Sequence, residues 1–390
     1  MKKRSPLLSI FIIIVVDILG LTLILPLLPF YAESLGASPF VVGSLVSVYA
    51  LCQLVASPVL GRISDRVGRK PVLMVSQLGT LAGFLLMASS KTLLLVFVAR
   101  IIDGLTAGNI SVAQAYISDV TEPSKRSTAF GMIGIAFGIG FMIGPAISGF
   151  LAQFDYTYPI YAAAFLSAAS IVTSWLLLPS GKVPQAHASE GGPSELSSAF
   201  AAMRRPKLSA LLWQYLVFAF AFTLFFSGFA LFAERRLTLH GAAFGPKEVG
   251  YVFAFMGVAG AAVQIGLVKR LVATLGERRL LRVGFAAMVL ALILLGVTQG
   301  IVALAASILL LAFGTAVLRP SLLSLISQTI SHSDQGRVMG ITQSLQSSAQ
   351  IVAPLLSGYL IQHLLLSPWA FAGAVCSGAG LYMVVRTKPD

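Results

Sequence analysis

Asp17 is a carboxylate in the middle of an otherwise uncharged apolar run from Leu7 to Phe30. About 20 apolar residues cover the ~30 Å hydrocarbon core of a bilayer, so this run is long enough to cross a membrane. An ionised carboxylate at the centre of such a helix costs about 2.5–3.5 kcal/mol on insertion scales. A group that is so costly to insert is expected to have a function. A titratable side chain at mid-membrane depth indicates ion-coupled transport.

Arg100 and Asp103 form a second pair of charged residues inside an apolar run. Residues three apart lie on the same face of a helix and can contact each other. A buried guanidinium stays protonated, so Arg100 needs an anionic partner. Asp103 on the same helix and Asp17 across a helix interface both remain open as that partner, and we take Asp17 as the working assignment.

The segment Gly61-Arg62-Ile63-Ser64-Asp65-Arg66-Val67-Gly68-Arg69-Lys70-Pro71 is predicted to be a loop between two apolar runs. Its glycines allow a tight turn and a close approach of the backbone. Asp65 can pair with an arginine or accept hydrogen bonds from a helix N-terminus, which makes a latch that can break. A loop that only sets topology needs basic residues but neither glycine nor aspartate. We therefore expect a conformational latch formed by Gly61, Asp65, Arg66, Gly68 and Arg69.

The composition explains which elements must hold these groups. The chain has 390 residues, of which 57% are hydrophobic and 11% charged, whereas a soluble domain has about 25% charged residues. Apolar runs fall at approximately 7–30, 41–60, 72–90, 93–118, 128–152, 159–178, 208–233, 248–268, 280–299, 301–326, 338–362 and 367–385. The sequence predicts an all-α integral membrane protein with twelve transmembrane helices.

Basic residues predict the orientation of these helices. Among the basic residues outside the apolar runs, only Lys91, Arg235, Arg236 and Lys247 lie in odd-numbered loops. The positive-inside rule then places both termini in the cytoplasm, which requires an even number of helices. The net charge of +13 is distributed over short loops. This is not the footprint of a nucleic-acid-binding face, so we expect no nucleic-acid partner.

The chain is predicted to be divided into two related halves. A Ser-, Gly- and Ala-rich stretch is expected to be a cytoplasmic linker, residues 181–207, between six-helix halves at 1–180 and 208–390. Gly144-Pro145-Ala146-Ile147-Ser148-Gly149 matches Ala353-Pro354-Leu355-Leu356-Ser357-Gly358, and Gly68 matches Gly276 at nearly the same offset. These matches indicate a duplication. Transporters built from such repeats bind substrate near the midplane between them.

Three motifs resemble those of the major facilitator superfamily. The Gly61–Pro71 segment resembles the signature loop of that family, and Arg100-Ile101-Ile102-Asp103-Gly104 resembles its intramembrane arginine motif. Gly140, Gly144, Pro145 and Gly149 resemble the antiporter motif of drug exporters, in which small residues let helices pack closely and Gly-Pro bends the helix. With Asp119 near the end of the fourth run, the N-terminal half is similar to the tetracycline:proton antiporters of the twelve-helix drug:proton antiporter branch.

The resemblance implies the major facilitator fold and a secondary active transporter that exports an organic solute or drug in exchange for protons by alternating access. It implies a proton-coupling group of Asp17, Arg100, Asp103 and Asp119. We expect no enzymatic activity and no cofactor, with the proton gradient as the energy source. We also expect a monomer in the lipid bilayer of a bacterial inner membrane.

Polar residues in other runs are the candidates for binding the small organic substrate, namely Asn109, Arg319, Gln343 and Gln346. Arg319 could bind an anionic substrate group, pair with an acid, or extend its charge to the membrane surface. The glutamines could equally form hydrogen bonds between helices. Five phenylalanines in the seventh run could line a drug cavity, but we expect them to face lipid, namely Phe218, Phe222, Phe225, Phe226 and Phe229.

Other kinds of site find little support. Cys52 and Cys376 both lie in apolar runs, so we expect neither a disulfide framework nor a metal site. No phosphate-binding motif is present, which argues against ATP-driven pumping. Two alternatives stay open: proton-coupled uptake or facilitated diffusion of a metabolite, and a membrane receptor or scaffold that transports nothing. The receptor alternative predicts no requirement for Asp17.

Overall fold

The computed structural model describes residues 6–121, 126–178, 206–330 and 335–386, and nearly all of them are helical. The first part of the chain forms α1 Pro6–Ile24, α2 Leu28–Ser34, α3 Pro39–Val67, α4 Arg69–Ala88, α5 Leu93–Thr106, α6 Asn109–Val120, α7 Arg126–Leu151 and α8 Thr157–Leu177. The second part forms α9 Pro206–Arg236, α10 Pro246–Gly266, α11 Val268–Leu275, α12 Glu277–Val297, α13 Ile301–Gln328, α14 Gln335–Gln362 and α15 Leu366–Arg386. A short antiparallel hairpin of β1 Thr238–Leu239 and β2 Ala242–Ala243 joins α9 to α10.

Ten helical segments among the described residues are long and apolar enough to cross a membrane. One of them, Leu93–Val120, comprises α5 and α6 together, and α7 adds the shorter apolar stretch Ile135–Leu151. With the more polar α14, the twelve predicted spans are accounted for. Helices suit this environment because lipid offers no hydrogen bonds to the backbone. The predicted all-α, multi-pass integral membrane fold is confirmed.

Two predicted spans are interrupted, so their expected continuity is wrong. The first run breaks between Ile24 and Leu28, where Pro26 lacks the backbone donor that a continuous helix requires. The fourth run breaks at Ala107 and Gly108. There the Ser57 hydroxyl donates to the Ala107 carbonyl (3.4 Å), and the Ala107 N–H donates to the Gly104 carbonyl (3.2 Å). These bonds satisfy backbone groups that the break would otherwise expose.

The predicted latch loop is mostly helix. α3 continues to Val67, and Gly68 alone connects it to α4. Gly68 has φ +104°, a left-handed conformation that favours glycine, so the expected tight turn is present. Gly276, its repeat partner, has φ +73° between α11 and α12. A Cβ at Gly61 would meet open space, so the expected close approach there is wrong.

The helices form two compact units. Among the described residues, unit 1 comprises those within 1–37, 45–190 and 245–254, and unit 2 comprises those within 38–44, 191–244 and 255–390. In unit 1, α1 packs against α6, α7 and α8, and α4 packs against α5, α6 and α8. In unit 2, α9 packs against α13, α14 and α15, and α12 packs against α13 and α15. The predicted linker lies outside the described residues apart from Pro206 and Lys207, so its character stays a prediction.

Phenylalanines of α9 belong to the interior of unit 2. Phe218, Phe225 and Phe229 are buried, and the Phe225 and Phe229 rings pack 5.1 Å apart. The expectation that they face lipid is wrong for these three. Their position one to two turns apart along α9 directs them to the side that contacts the neighbouring helices rather than the bilayer.

Glycines of the antiporter motif make close helix contacts within unit 1. A Cβ at Gly140 would collide with Ile18 of α1, and one at Gly144 would collide with Thr22. Further along α7, a Cβ at Gly149 would lie 2.8 Å from the Pro246 carbonyl oxygen at the start of α10. Small residues therefore let α7 approach α1 and α10 closely.

The repeat reproduces the last of these contacts in unit 2. A Cβ at Gly358, the partner of Gly149 in the repeat, would collide with the Pro39 carbonyl at the start of α3. Gly43 has the same relation to Pro354 that Gly250 has to Pro145. The pseudo-symmetry predicted from the sequence is therefore visible in matching backbone contacts.

Gly144→Ala is expected to lower the stability of the protein, whereas Gly138→Ala is not. The added methyl at Gly144 meets Thr22, and overpacking of this kind costs about 1–3 kcal/mol. Gly138 lies on the same helix with open space around its Cβ position, and alanine is the better helix former by about 1 kcal/mol. Thermal unfolding of the two purified variants in detergent measures the difference. Equal unfolding temperatures would contradict the close α1–α7 packing.

Candidate functional site

Asp17 lies on α1 and is only partly buried. Its carboxylate accepts hydrogen bonds from the side chains of Ser170, Gln77 and Asn109. Gln77 and Ser170 are fully buried, and the Gln77 amide also lies 2.7 Å from the Ser170 hydroxyl. Four helices of unit 1, namely α1, α4, α6 and α8, thus meet at this carboxylate. We call Gln77, Asn109 and Ser170 the Asp17 cradle.

The break between α5 and α6 brings Asn109 to this level. Asn109 is the first residue of α6, and the helical hydrogen bonds of α6 begin with Val112 N–H to the Gly108 carbonyl (2.9 Å). The first N–H groups of a helix have no partner within it and carry partial positive charge, which favours a nearby anion. A Cβ at Gly108 would lie 2.7 Å from Leu60 and 2.9 Å from the Ser76 hydroxyl, so the break requires glycine.

The cradle has spare acceptor atoms. Gln77 Oε1 and Asn109 Oδ1 are buried without a hydrogen-bond partner among the described residues, and so is the Ser76 hydroxyl nearby. A carboxylate needs donors, while a protonated carboxyl group also needs an acceptor. Amide groups supply either atom after rotating. The cradle can therefore bind both charge states of Asp17.

Arg100 pairs with Asp103 and not with Asp17. The Arg100 Nη2 lies 2.6 Å from Asp103 Oδ2, and these residues are only 2% and 3% exposed. The guanidinium also lies 4.9 Å from the centre of the Tyr49 ring, and Thr80 donates a hydrogen bond to Asp103. The working assignment of Asp17 as the partner of Arg100 is therefore wrong. Spacing on one helix turn brings Asp103 to the guanidinium without help from a second helix.

Arg69 organises a separate charged cluster at the α3–α4 turn. Its guanidinium lies 2.5 Å from Asp65 Oδ1 and 2.8 Å from Asp119 Oδ2, and it donates to the Ser64 hydroxyl at 2.7 Å. The ends of α3 and α6 are thereby tied to the start of α4. Asp119, which we predicted to belong to the proton-coupling group, lies instead with the latch residues. Arg66 is exposed at the end of α3.

Unit 2 contains a second polar cluster, which includes the residues predicted to bind substrate. Arg319 of α13 is exposed and lies within electrostatic range of Tyr215 on α9. The Tyr215 hydroxyl donates to Gln346 Oε1 of α14 at 3.4 Å. Gln343, one turn away on α14, is exposed. Three helices thus contribute to this cluster, and its role in substrate binding stays a prediction.

Sequence reasoning missed three residues of these clusters, namely Gln77, Ser170 and Tyr215. Gln77 carried a usable signal, because a side-chain amide inside an apolar run must find a partner in protein or water. Ser170 and Tyr215 carried none, since serine and tyrosine are common in membrane helices without any such role.

Comparison with known proteins defines the family. The family model of the Major Facilitator Superfamily matches residues 10–271 and 239–390. The tetracycline resistance protein, class E, of Escherichia coli is 32% identical over 358 residues, covering 90% of this chain and 86% of that protein. Multidrug resistance protein 2 of Bacillus subtilis (strain 168) is 30% identical over 394 residues, covering 98% and 96%. The chain belongs to the Major Facilitator Superfamily.

Solved structures agree on the fold. The human organic anion transporter MFSD10 (TETRAN) superposes with a TM-score of 0.75 at 23% identity, covering 98% of this chain and 100% of that one. The nucleoside transporter NupG superposes with a TM-score of 0.80 at 15% identity, covering 99% and 100%. The predicted fold and family are confirmed, as is the prediction that the protein is a transporter and not an enzyme. Transporters of this family carry small organic substrates and protons across a lipid membrane.

Asp103→Asn is expected to destabilise the protein strongly. It leaves the buried Arg100 guanidinium without its counter-charge, and removing one partner of a buried ion pair costs about 3–5 kcal/mol. The double variant Arg100→Gln with Asp103→Asn removes both charges and should recover part of that loss. Unfolding of the single and double variants in detergent measures the coupling. A single variant as stable as the unmodified protein would contradict the buried pair.

Proposed function

We propose that the protein is a secondary active transporter that exports a drug or another organic solute in exchange for protons. The observation that carries this proposal is the Asp17 cradle. All three hydrogen-bond partners of Asp17 are neutral side chains on neighbouring helices. Asp17 can therefore gain or lose a proton without breaking a buried ion pair. Asp103, by contrast, forms a buried ion pair with Arg100, which a change of its charge would break.

Proton binding would change how the helices hold one another. The ionised carboxylate accepts hydrogen bonds from all three cradle residues, whereas the protonated carboxyl group donates one. Gln77 or Asn109 must then rotate its amide to present the spare acceptor oxygen, which changes the contacts of α1 with α4 or α6. Ile18, the next residue on α1, contacts Gly140 of the antiporter motif, so a shift of α1 reaches α7 directly.

The proton gradient supplies the energy in this scheme. One elementary charge crossing 100 mV releases about 2.3 kcal/mol, which biases transport roughly tens-fold. No other cofactor is required. Export is favoured over uptake because the relatives described above are resistance proteins, and a receptor or scaffold is disfavoured by the same likeness.

The finer assignments complete the proposal. The candidates for substrate contact are Asn109 in unit 1 and, in unit 2, Arg319, Gln343 and Gln346, with Tyr215 added from the structure. Asn109 would then link the charge state of Asp17 to substrate binding, because it already contacts that carboxylate. The concentration of basic residues in even-numbered loops supports cytoplasmic termini. A monomer in a bacterial inner membrane, without a nucleic-acid partner, fits this arrangement.

Asp17→Asn is expected to abolish proton-coupled transport while leaving the protein folded. The amide side chain keeps the size of the carboxyl group, and the spare acceptor oxygens of the cradle can bind its N–H, but it cannot exchange a proton. Proton flux in proteoliposomes, recorded while tetracycline and a panel of organic cations and anions are added, is the measurement.

Asp155→Asn is the matched control. Asp155 lies between α7 and α8, and its carboxylate accepts hydrogen bonds from the Thr157 N–H and hydroxyl, both at 2.7 Å. These bonds lower the pKa of Asp155 below its usual value, so this acid stays ionised at neutral pH. Transport by this variant should be unchanged. Coupled transport that survives Asp17→Asn would refute the proposed role of Asp17.

Arg319→Gln is expected to change which substrates are carried. If Arg319 binds an anionic group of the substrate, the variant should bind anionic substrates about tenfold more weakly, because it loses one charge-assisted hydrogen bond of roughly 1.5 kcal/mol or more. Its affinity for cationic substrates should be unchanged. Transport of one cation and one anion, measured against pH, tests this. A shifted pH profile for both substrates would indicate an acid of the protein as the partner, and no change would remove Arg319 from the site.

A further inference from the structure

Helix α11 is short, amphipathic and basic. Its apolar residues recur at the helical spacing i, i+3, i+4 and i+7, namely Val268, Leu271, Val272 and Leu275. The first three pack against the buried cluster of Val263, Leu280 and Val317. Lys269 and Arg270 lie on the other side of the helix and are exposed. The apolar face therefore belongs to the protein, and the basic face is turned away from it.

The flanking helices fix the depth of α11. Only Leu267 separates it from the membrane span α10, and only Gly276 separates it from the membrane span α12. Ile265 and Leu267 are 85% and 44% exposed. Apolar side chains so exposed at the end of a membrane span contact the acyl chains of lipids. α11 must then lie at the level of the lipid headgroups.

Two arginines extend the basic face along the first turns of α12. Arg279 and Arg282 are exposed, and Val283 beside them is 43% exposed on the side of the helix that meets lipid. Long basic side chains at such positions place their charge at the headgroups. We call Lys269, Arg270, Arg279 and Arg282 the α11 basic strip. No salt bridge within the described ranges involves any of the four.

The neighbouring acid is already engaged. Glu277, between the two halves of the strip, accepts hydrogen bonds from the Ser324 hydroxyl (2.5 Å) and the Gln328 amide (3.1 Å) of α13. It thus faces α13 rather than the strip, and forms no salt bridge with the strip's four basic residues.

The corresponding region of unit 1 differs in this respect. Glu277 lies 208 residues after Arg69, and Gln328 lies 209 residues after Asp119. In unit 1 the bond between these positions joins Arg69 to Asp119, and Asp65 adds a second acid. In unit 2 the acid, Glu277, stands where unit 1 has Arg69, and the neutral Gln328 stands where unit 1 has Asp119. Ala273, 208 residues after Asp65, takes the place of the second acid. Neither of the two acids that pair with Arg69 in unit 1 therefore has an acidic counterpart in unit 2.

We propose that the α11 basic strip binds the phosphate groups of anionic phospholipids at the membrane surface. The strip has the charge that such headgroups complement, the depth at which they lie, and no salt bridge to a carboxylate in the part of the chain that the structure describes. Each basic residue near an anionic membrane surface strengthens the attraction, and the effect decays within the Debye length.

Spin-labelled lipids test this binding on the purified full-length protein. The chain is reconstituted in phosphatidylcholine bilayers with trace spin-labelled phosphatidylglycerol or phosphatidylcholine, and the motionally restricted fraction of each label is measured. We expect the protein to prefer phosphatidylglycerol by about two- to fivefold at low salt. The preference should disappear, with a ratio of about one, in the variant Lys269→Gln, Arg270→Gln, Arg279→Gln, Arg282→Gln.

Two matched variants separate the strip from total charge and from folding. Arg270→Lys, Arg279→Lys, Arg282→Lys keeps every charge and should keep the preference. Lys91→Gln, Lys247→Gln, Arg386→Gln lowers the net charge elsewhere and should also keep it. If the neutralised strip prevents insertion, raising the salt with the unmodified protein must still abolish the preference.

Three results would overturn the proposal. The unmodified protein could show no preference for phosphatidylglycerol, or the neutralised strip could retain the full preference. Inorganic phosphate could displace the labelled lipid better than chloride at equal ionic strength, which would identify a site for small anions instead.

Discussion

A charge at the depth of the lipid acyl chains must be solvated by the protein itself, and the arrangement of unit 1 follows from that requirement. The protein meets it in two different ways. Arg100 and Asp103 neutralise each other and are closed off from water. Asp17 instead receives hydrogen bonds from neutral groups on three other helices and stays partly accessible. The first arrangement fixes both charges, while the second leaves one charge free to change.

The same requirement explains why the helices are broken and closely packed where they are. A break in a membrane helix exposes backbone groups that lipid cannot satisfy, so it is tolerated only inside protein. The α5–α6 break is buried in this way, and Ser57 and Gly104 accommodate its backbone. The break in turn places Asn109 against Asp17. Glycines of α7 hold α1 close on its other side, so the carboxylate and its partners share one tightly packed unit.

Much of this architecture could be predicted from the sequence, because hydropathy reports the spans and the spacing of Gly and Pro reports the repeat. The depth of Asp17 and Arg100 within their membrane helices could also be predicted. Their hydrogen-bond and ion-pair partners could not, since a polar residue in an apolar run can face any neighbouring helix. Arg100 was assigned to the wrong acid for that reason, and Gln77 and Ser170 were not found. The α3 extension to Val67 was also missed, because basic residues continue a helix beyond the bilayer as readily as they form a loop.

Proton release on substrate binding tests the central claim, that the charge state of Asp17 is linked to substrate binding, most directly. A transported drug, identified in the proteoliposome assay, is added to the purified protein in weakly buffered detergent solution, and the pH change is recorded beside the binding isotherm. The account predicts that the unmodified protein releases protons as the drug binds, and that Asp17→Asn binds the drug without releasing them. Equal proton release from both proteins would contradict it.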